Sequence, residues 1–199
     1  MSRSLCQRCE RPSKTCLCDY LICCASDYRL VILQDPKEAR HAMSSAPLLA
    51  KSIAGAQLLV GDVFDPLEVL GENWLTDTLL VYPGASPLSA DAIGSARFRY
   101  LLLLDGTWRK VRRLMHLNPW LSHLPCMHLQ MSEQSRYRIR KSPRQDGLST
   151  IEAGVAALNV LHAEQNFDKV LLAFQAMIDM QLAEMGPAAR QNHPDLRGS

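Results

Sequence analysis

No apolar run in this 199-residue chain approaches the roughly 20 residues needed to cross a bilayer. The amino end is polar and cysteine-rich where a secretory signal would carry an apolar core. Both absences lead us to expect a soluble protein of the cytoplasm. Internal repeats are missing, which speaks against solenoids and propellers, and no low-complexity segment suggests a long disordered tract. Acidic residues are nearly absent between Arg97 and Arg144, where eleven Lys/Arg face only Asp105 and Glu133, a local balance of +9 in a chain whose net charge is +2. The remainder therefore sums to −7. Such segregation is the electrostatic footprint expected of a protein that binds an anionic polymer, although clustering in sequence need not be clustering in space.

What is present supports one sizeable core: 47% of residues are hydrophobic, enough for one main domain with a small appendage. The seven cysteines are an odd count with four in the first eighteen residues, which fits metal ligation in a reducing compartment better than a disulfide framework. Cys6-Gln7-Arg8-Cys9 and Cys16-Leu17-Cys18 flank a loop-like stretch long enough to turn back, so four thiolates can close a tetrahedral zinc site. Cys-x-Cys is tighter than the usual knuckle, and unmetallated or redox-active thiols are the alternative. Cys23 and Cys24 lack ligand spacing and read as small buried hydrophobes. We take residues 1–26 as this appendage, 27–187 as the main domain and 188–199 as a flexible tail.

The chain is organised around Leu101-Leu102-Leu103-Leu104-Asp105-Gly106-Thr107-Trp108. Four leucines before Asp-Gly read as a strand buried on both faces, as a parallel sheet covered by helices requires. Beyond it, Trp108, Val111 and Met115 share one helical face while Arg109, Lys110, Arg112 and Arg113 cover the rest, up to Asn118-Pro119. Asp105 is thus left at the carboxyl end of a central strand, where open α/β sheets bind ligands. The plainer reading is that Asp105 or Thr107 only caps the helix.

Strand-like runs precede and follow this unit. Tyr28 to Leu33 reads as the first strand, halted by Gln34-Asp35-Pro36, with a helix starting near Pro36. Residues 38–53 are helix-compatible, broken at Pro47 unless the helix begins there. Further strands are expected at Gln57 to Val60, at Thr78 to Tyr82 running into Pro83-Gly84, and at Cys126 to Leu129. Glycine at Gly84 permits close approach of a ligand to the backbone, or simply an ordinary turn. After a basic stretch from Tyr137 to Arg144 and the loop to Gly147, Ser149-Thr150-Ile151-Glu152 has the form of a capping box opening a helix to about Glu164. A helix amino end after a cationic loop also suits a carboxylate or phosphate. A last helix from Asp168 would turn Phe174, Met177, Ile178, Leu182 and Met185 inward, ending at Gly186-Pro187. The alternation of strands and helices argues an α/β fold with a largely parallel sheet flanked by helices.

Asp105-Gly106-Thr107-Trp108 matches the Asp-x-Thr-Trp signature of the DTW-domain proteins, and three further segments agree with that family in order. They are the Cys-x-x-Cys/Cys-x-Cys opening, Pro36-Lys37-Glu38-Ala39-Arg40-His41, and Leu148-Ser149-Thr150-Ile151-Glu152-Ala153, with Tyr82-Pro83-Gly84 between them. The chain resembles this family over nearly its whole length. It departs at Met43-Ser44-Ser45-Ala46-Pro47, where an Asn-Thr-x-Arg-like run is more usual, and at Asp35, where His is common. Ser44 and Ser45 can still donate hydrogen bonds.

The resemblance implies a fold similar to the knotted SPOUT class and a tRNA-uridine aminocarboxypropyltransferase, with S-adenosylmethionine as donor and tRNA as partner. It moves the 3-amino-3-carboxypropyl group to N3 of a uridine and releases methylthioadenosine. On that reading Asp105 accepts or orients the N3 proton, Thr107 positions and Trp108 packs or stacks. Tyr82, Pro83 and Gly84 with Leu148, Ser149, Thr150 and Glu152 hold the donor, and Arg109, Arg112, Arg138 and Arg140 meet tRNA phosphates or the donor's carboxylate. Cys6, Cys9, Cys16 and Cys18 hold structural zinc. The alternatives are a methyltransferase using the same donor and a zinc-containing RNA-binding module without catalysis.

Overall fold

The computed structural model describes residues 4–84, 87–129, 148–162 and 164–184. Five strands form one parallel sheet in the order β2-β1-β4-β3-β5: β1 Arg29–Gln34, β2 Gln57–Val60, β3 Thr78–Val81, β4 Tyr100–Asp105 and β5 Cys126–Met127. The described helices are α1 Ala46–Ser52, α2 Pro66–Leu70, α3 Trp74–Asp77, α4 Ala90–Ser95, α5 Trp108–Leu117, α6 Thr150–Leu161 and α7 Leu171–Glu184. The α/β class with a largely parallel sheet is as the leucine run and the alternation of elements require.

Strand periodicity explains how one sheet fills two cores. Leu30 and Ile32 of β1 and Leu101 and Leu103 of β4 face a layer built by α1, α6 and α7, with Leu49, Ile151, Val155, Leu158, Phe174 and Met177. The alternate residues Val31, Leu33 and Leu102 face the other layer, with Leu70, Leu121 and Leu124 and the flanking Met115 and Trp120. Layers approach closely where a residue is small: a Cβ on Gly154 of α6 would run into the buried Leu49 side chain of α1.

Residues 4–26 lie against the first of these layers. Leu17 is fully buried and Leu21 nearly so, in the same core as Phe174 and Met177. Cys24 bridges to Ile53, its N–H donating to the Ser52 carbonyl at 2.8 Å, and Lys51 pairs with Glu10 at 3.2 Å. Cys23 is exposed and Cys24 only partly buried, against the expectation of buried hydrophobes. The bridge to Ile53 holds Cys24 against the core and leaves its neighbour Cys23 on the solvent side.

Other element boundaries moved for local reasons. Residues 36–40 turn instead of opening a helix, and α1 starts at Ala46 with Pro47 in its first turn, where the missing N–H is harmless. α6 ends at Leu161, short of Glu164. Asp168–Val170 is a 3₁₀ turn leading into α7, whose buried residues include Leu171, Ala173, Phe174, Ala176 and Met177, while Ile178 and Leu182 are half-buried. Met185, Gly186 and Pro187 fall outside the described residues. On α5 the buried face is Val111 and Leu114, leading to Asn118, and Trp108 is 48% exposed, so the expected Trp108–Val111–Met115 stripe is rotated by about 60°, roughly a sixth of a turn.

This topology makes a crevice. β1 and β4 are adjacent and parallel, with Gln34 opposite Asp105. After β1 the chain supplies α1 to one face of the sheet, whereas after β4 it passes through α5 toward the other, where Met115 packs. Where neighbouring connections part to opposite faces, the carboxyl ends of the strands are left open for a ligand.

Candidate active site

Asp105 sits in that crevice, only 4% exposed, and its carboxylate does not cap α5. Gln34 Nε2 donates to its Oδ2 at 2.7 Å, and the Thr150 hydroxyl, at the first residue of α6, donates to its Oδ1. Thr107 takes the N-cap position of α5, although its side chain makes no capping bond. The capping alternative for Asp105 therefore gives way to a buried carboxylate held by partners from two other elements. Burial raises its pKa above the usual carboxylate range, and the hydrogen bonds from Thr150 and Gln34 oppose this without cancelling it. An ionised carboxylate offers about four lone-pair sites, so two remain for an incoming proton donor.

The support of Asp105 continues outward. Gln34 Nε2 also donates to Ser44 Oγ at 2.9 Å, and Ser45 Oγ accepts the Ile151 N–H at 3.3 Å. Both serines are buried, and in these bonds their hydroxyls accept where donation was expected, so the divergent segment from Met43 to Pro47 meets the site as an acceptor wall. Gln34 was not singled out from the sequence. Its signal is a polar side chain ending an otherwise apolar strand, but only strand order puts it beside Asp105.

At Gly106 the backbone has φ +154°, and a Cβ there would lie 2.9 Å from Lys110 Cβ. Glycine lets the first turn of α5 close against the strand end. The Asp35 N–H donates to the Asp105 carbonyl at 3.2 Å, which brings the turn at residues 35–41 beside this glycine. Two cations of α5 are consumed by that turn and its neighbour: Lys110 Nζ meets Glu38 Oε2 at 2.7 Å, and Arg113 reaches Asp62 at 2.5 Å and Asp35 at 3.4 Å. The Arg113 hydrogen bond holds the Asp62 carboxyl below its ordinary pKa. Arg109 and Arg112 are exposed, Arg112 Nε donating to the Trp108 carbonyl at 3.4 Å. The basic stripe of α5 thus divides into Lys110 and Arg113, which are paired with acids, and the exposed Arg109 and Arg112. Arg138 and Arg140 lie outside the described residues.

Parallel register places Tyr82-Pro83-Gly84, just past β3, on the same sheet edge as Asp105. Tyr82 is half-buried, its N–H donating to the Met127 carbonyl at 3.1 Å, and Pro83 is exposed. A Cβ on Gly84 would strike Cys126 Sγ, so the demand for glycine there comes from β5 and not only from a ligand. Leu148 is half-buried, and Ser149 and Glu152 form the expected capping box. The Ser149 N–H donates to the Glu152 carboxylate at 2.8 Å, and its hydroxyl also meets that group. Thr150, between them, is the member of this motif that touches Asp105.

The four amino-terminal thiols converge on one another. Cys6 Sγ and Cys18 Sγ are 3.4 Å apart, Cys9 Sγ and Cys16 Sγ 3.7 Å, and all four lie within 4.8 Å of one another. A tetrahedral thiolate site with bonds of about 2.3 Å places its sulfurs about 3.8 Å apart, so the set fits a metal ion. Backbone amides of Cys9 and Arg8 lower the Cys6 thiol to about 6, while its bond to Cys6 pushes Cys18 up to about 12. Glu10, just after the first pair, adopts φ 60°, and its N–H donates to the Cys6 carbonyl at 2.8 Å, closing the knuckle. Among the described residues no helix is long and apolar enough to cross a membrane.

The chain is 30% identical over 192 residues to tRNA-uridine aminocarboxypropyltransferase 2 of Macaca fascicularis, an alignment covering 90% of this chain and 64% of that protein. It is 28% identical over 182 residues to the Drosophila melanogaster protein of the same name, covering 85% and 71%. Against tRNA-uridine aminocarboxypropyltransferase A of Arabidopsis thaliana the figures are 38% over 107 residues, 52% and 40%. The chain thus spans a little under two thirds of the length of the Macaca relative, at 64%. No solved structure matches it significantly. The model of the DTW domain matches residues 3–182, almost the entire sequence, and the chain belongs to the DTW domain family.

Proposed function

We propose that this protein transfers the 3-amino-3-carboxypropyl group of S-adenosylmethionine to N3 of a tRNA uridine, releasing methylthioadenosine. The observation that carries the reading is Asp105, a buried carboxylate of raised pKa at the carboxyl end of the central strand, in a chain whose relatives bear the name of that activity. The donor's sulfonium activates the adjoining carbons, so the protein's task is to present the γ carbon and not the methyl to the acceptor, which is a matter of orientation. The N3–Cγ bond forms as the Cγ–S bond breaks. The electron pair of that bond stays on sulfur, which leaves as a neutral thioether, and the N3 proton passes to the Asp105 carboxylate.

Gln34 and Thr150 keep that carboxylate oriented and Thr107 shapes the turn beside it. The half-exposed Trp108 indole offers a stacking surface at the edge, and the exposed Arg109 and Arg112 suit tRNA phosphates. Tyr82, Pro83, Gly84, Leu148 and Thr150 line the edge where the adenosyl portion would rest. Arg138 and Arg140, beyond the described residues, are assigned to tRNA on charge. We assign zinc to Cys6, Cys9, Cys16 and Cys18, which would hold it as a cross-link of the amino-terminal loop. Residues 1–26 then form a metal-bearing segment, 27–187 a catalytic domain similar to the SPOUT class, and a cytoplasmic location suits both tRNA and reduced thiols.

Incubation with S-adenosylmethionine and unmodified tRNA tests the reaction. Methylthioadenosine and an aminocarboxypropyl uridine are expected. S-adenosylhomocysteine as the sole nucleoside product would make the protein a methyltransferase, and no donor consumption would leave it an RNA-binding module.

A further inference from the structure

The pair formed by Glu38 and Lys110 is unusual among the ion pairs of the described residues. Its Nζ and Oε2 atoms are 2.7 Å apart and the side chains are only 20% and 17% exposed, whereas Arg113 is 49% exposed. A pair withdrawn from water is weak evidence for a stabilising role, because desolvation offsets much of the attraction. Nor is it needed as a clamp: the turn at residues 35–41 is already fastened by the Asp35 N–H on the Asp105 carbonyl and by Arg113 on Asp35. Lys110 also stands third in α5, after Arg109, in a first turn with no acid, so two cations oppose the positive end of the helix. Local conflicts of that kind gather where a ligand resolves them.

The location is constrained by chemistry. In the transferred group the α carbon bearing both ammonium and carboxylate is only two bonds from the reacting γ carbon. A subsite for those charges must therefore adjoin the group that handles the acceptor's proton. The Glu38 N–H donates to the Asp35 carbonyl at 2.9 Å, the Asp35 N–H donates in turn to the Asp105 carbonyl at 3.2 Å, and Lys110 rises from the turn that Gly106 closes.

We propose that Glu38 and Lys110 form the subsite for the α-amino-acid end of the donor, resting on the reaction proposed above. Lys110 and the amino end of α5 take the α-carboxylate, and Glu38 takes the α-ammonium. Without donor the two side chains satisfy each other; with donor the zwitterion is inserted between them, so no charge is left unpaired at either stage. This selects a donor by the end that is transferred, which a methyl-transferring site has no need to grip so near its base.

Calorimetric titration with S-adenosylmethionine, S-adenosylhomocysteine and methylthioadenosine tests this, because the last two share the adenosyl thioether and differ in the amino-acid end. Lys110→Met and Glu38→Gln should each weaken S-adenosylhomocysteine and S-adenosylmethionine by about tenfold to a hundredfold while leaving methylthioadenosine unchanged, as loss of a charge-assisted hydrogen bond predicts. The exchanged variant Glu38→Lys/Lys110→Glu keeps an ion pair, so it should melt near the wild type and bind methylthioadenosine normally, yet still lose S-adenosylhomocysteine. Restoration of S-adenosylhomocysteine binding by the exchange, or equal weakening of both thioethers in the single variants, would make the pair a clamp and overturn the subsite alone. A wild-type protein that binds none of the three and releases no methylthioadenosine would overturn the reaction and the subsite together.

Discussion

A carboxylate as enclosed as Asp105 costs folding free energy whenever it is ionised, and that cost has a sign in pH. The folded protein holds the Asp105 proton to higher pH than the unfolded chain, whose carboxyl titrates near 3.9. Between that value and the raised one the folded state binds more protons. This group's contribution to stability therefore falls as pH rises through the window and is level above it. Asp105→Asn removes the charge and keeps the shape: its carbonyl can accept from Gln34 Nε2 and its amide can donate to a rotated Thr150 hydroxyl. The variant should gain stability relative to the wild type as pH rises across the window, measured by urea unfolding at a series of pH values. Its turnover should be lower by about a hundredfold or more through loss of the proton acceptor. The wild-type kcat/KM should fall as pH drops through the raised pKa, a limb the variant lacks. A variant with near-full turnover would leave Asp105 a structural residue.

At the scale of elements, the amino-terminal loop carries little regular structure, a 3₁₀ turn at Ser13–Thr15 and a bridge between Leu5 and Pro12, yet it inserts Leu17 and Leu21 into the main core. Backbone hydrogen bonds alone give such a segment little to offset its conformational entropy, and a metal cross-link would supply the difference. One zinc per chain is expected by elemental analysis. Removing it with a strong chelator, or by Cys6→Ala with Cys9→Ala, should lower Tm and raise amide exchange both in residues 4–24 and in α7, whose Met177 Sδ accepts from Arg11 Nη1 at 3.1 Å. Loss of metal without change in α7 would mean that the loop holds its place by apolar packing.

For the whole molecule, charge segregation in sequence becomes a two-sided helix in space. Lys110 and Arg113 turn to acids beside the crevice, so the surface left for a polyanion at α5 is Arg109 and Arg112 together with the exposed Trp108. Replacing both arginines by glutamine should weaken tRNA binding and reduce the slope of log affinity against log salt by about 1.5, some 0.7 to 0.9 for each lost phosphate contact. Donor binding in the absence of tRNA should be unchanged. An unaltered slope would place the tRNA elsewhere on the protein.

By itself the sequence determined the elements whose signals are local. Four leucines ending in Asp-Gly suit a strand covered on both faces, Ser149 and Glu152 carry their own capping chemistry, and the four spaced cysteines announce convergence of thiols. The motif segments that marked the family resemblance were legible in the same way. The tertiary structure decided what depends on strand order and on the handing of helices to opposite faces. Gln34 reached Asp105 across 71 residues because β1 and β4 are neighbours, and Thr150 reached it across 45 because α6 docks on that end of the sheet. The same non-local pairing set Lys110 and Arg113 against acids and left Arg109 and Arg112 exposed, since acids at positions 35, 38 and 62 come to α5 only after the sheet is assembled. No periodicity along the chain encodes those distances, which arise from packing two layers on one sheet.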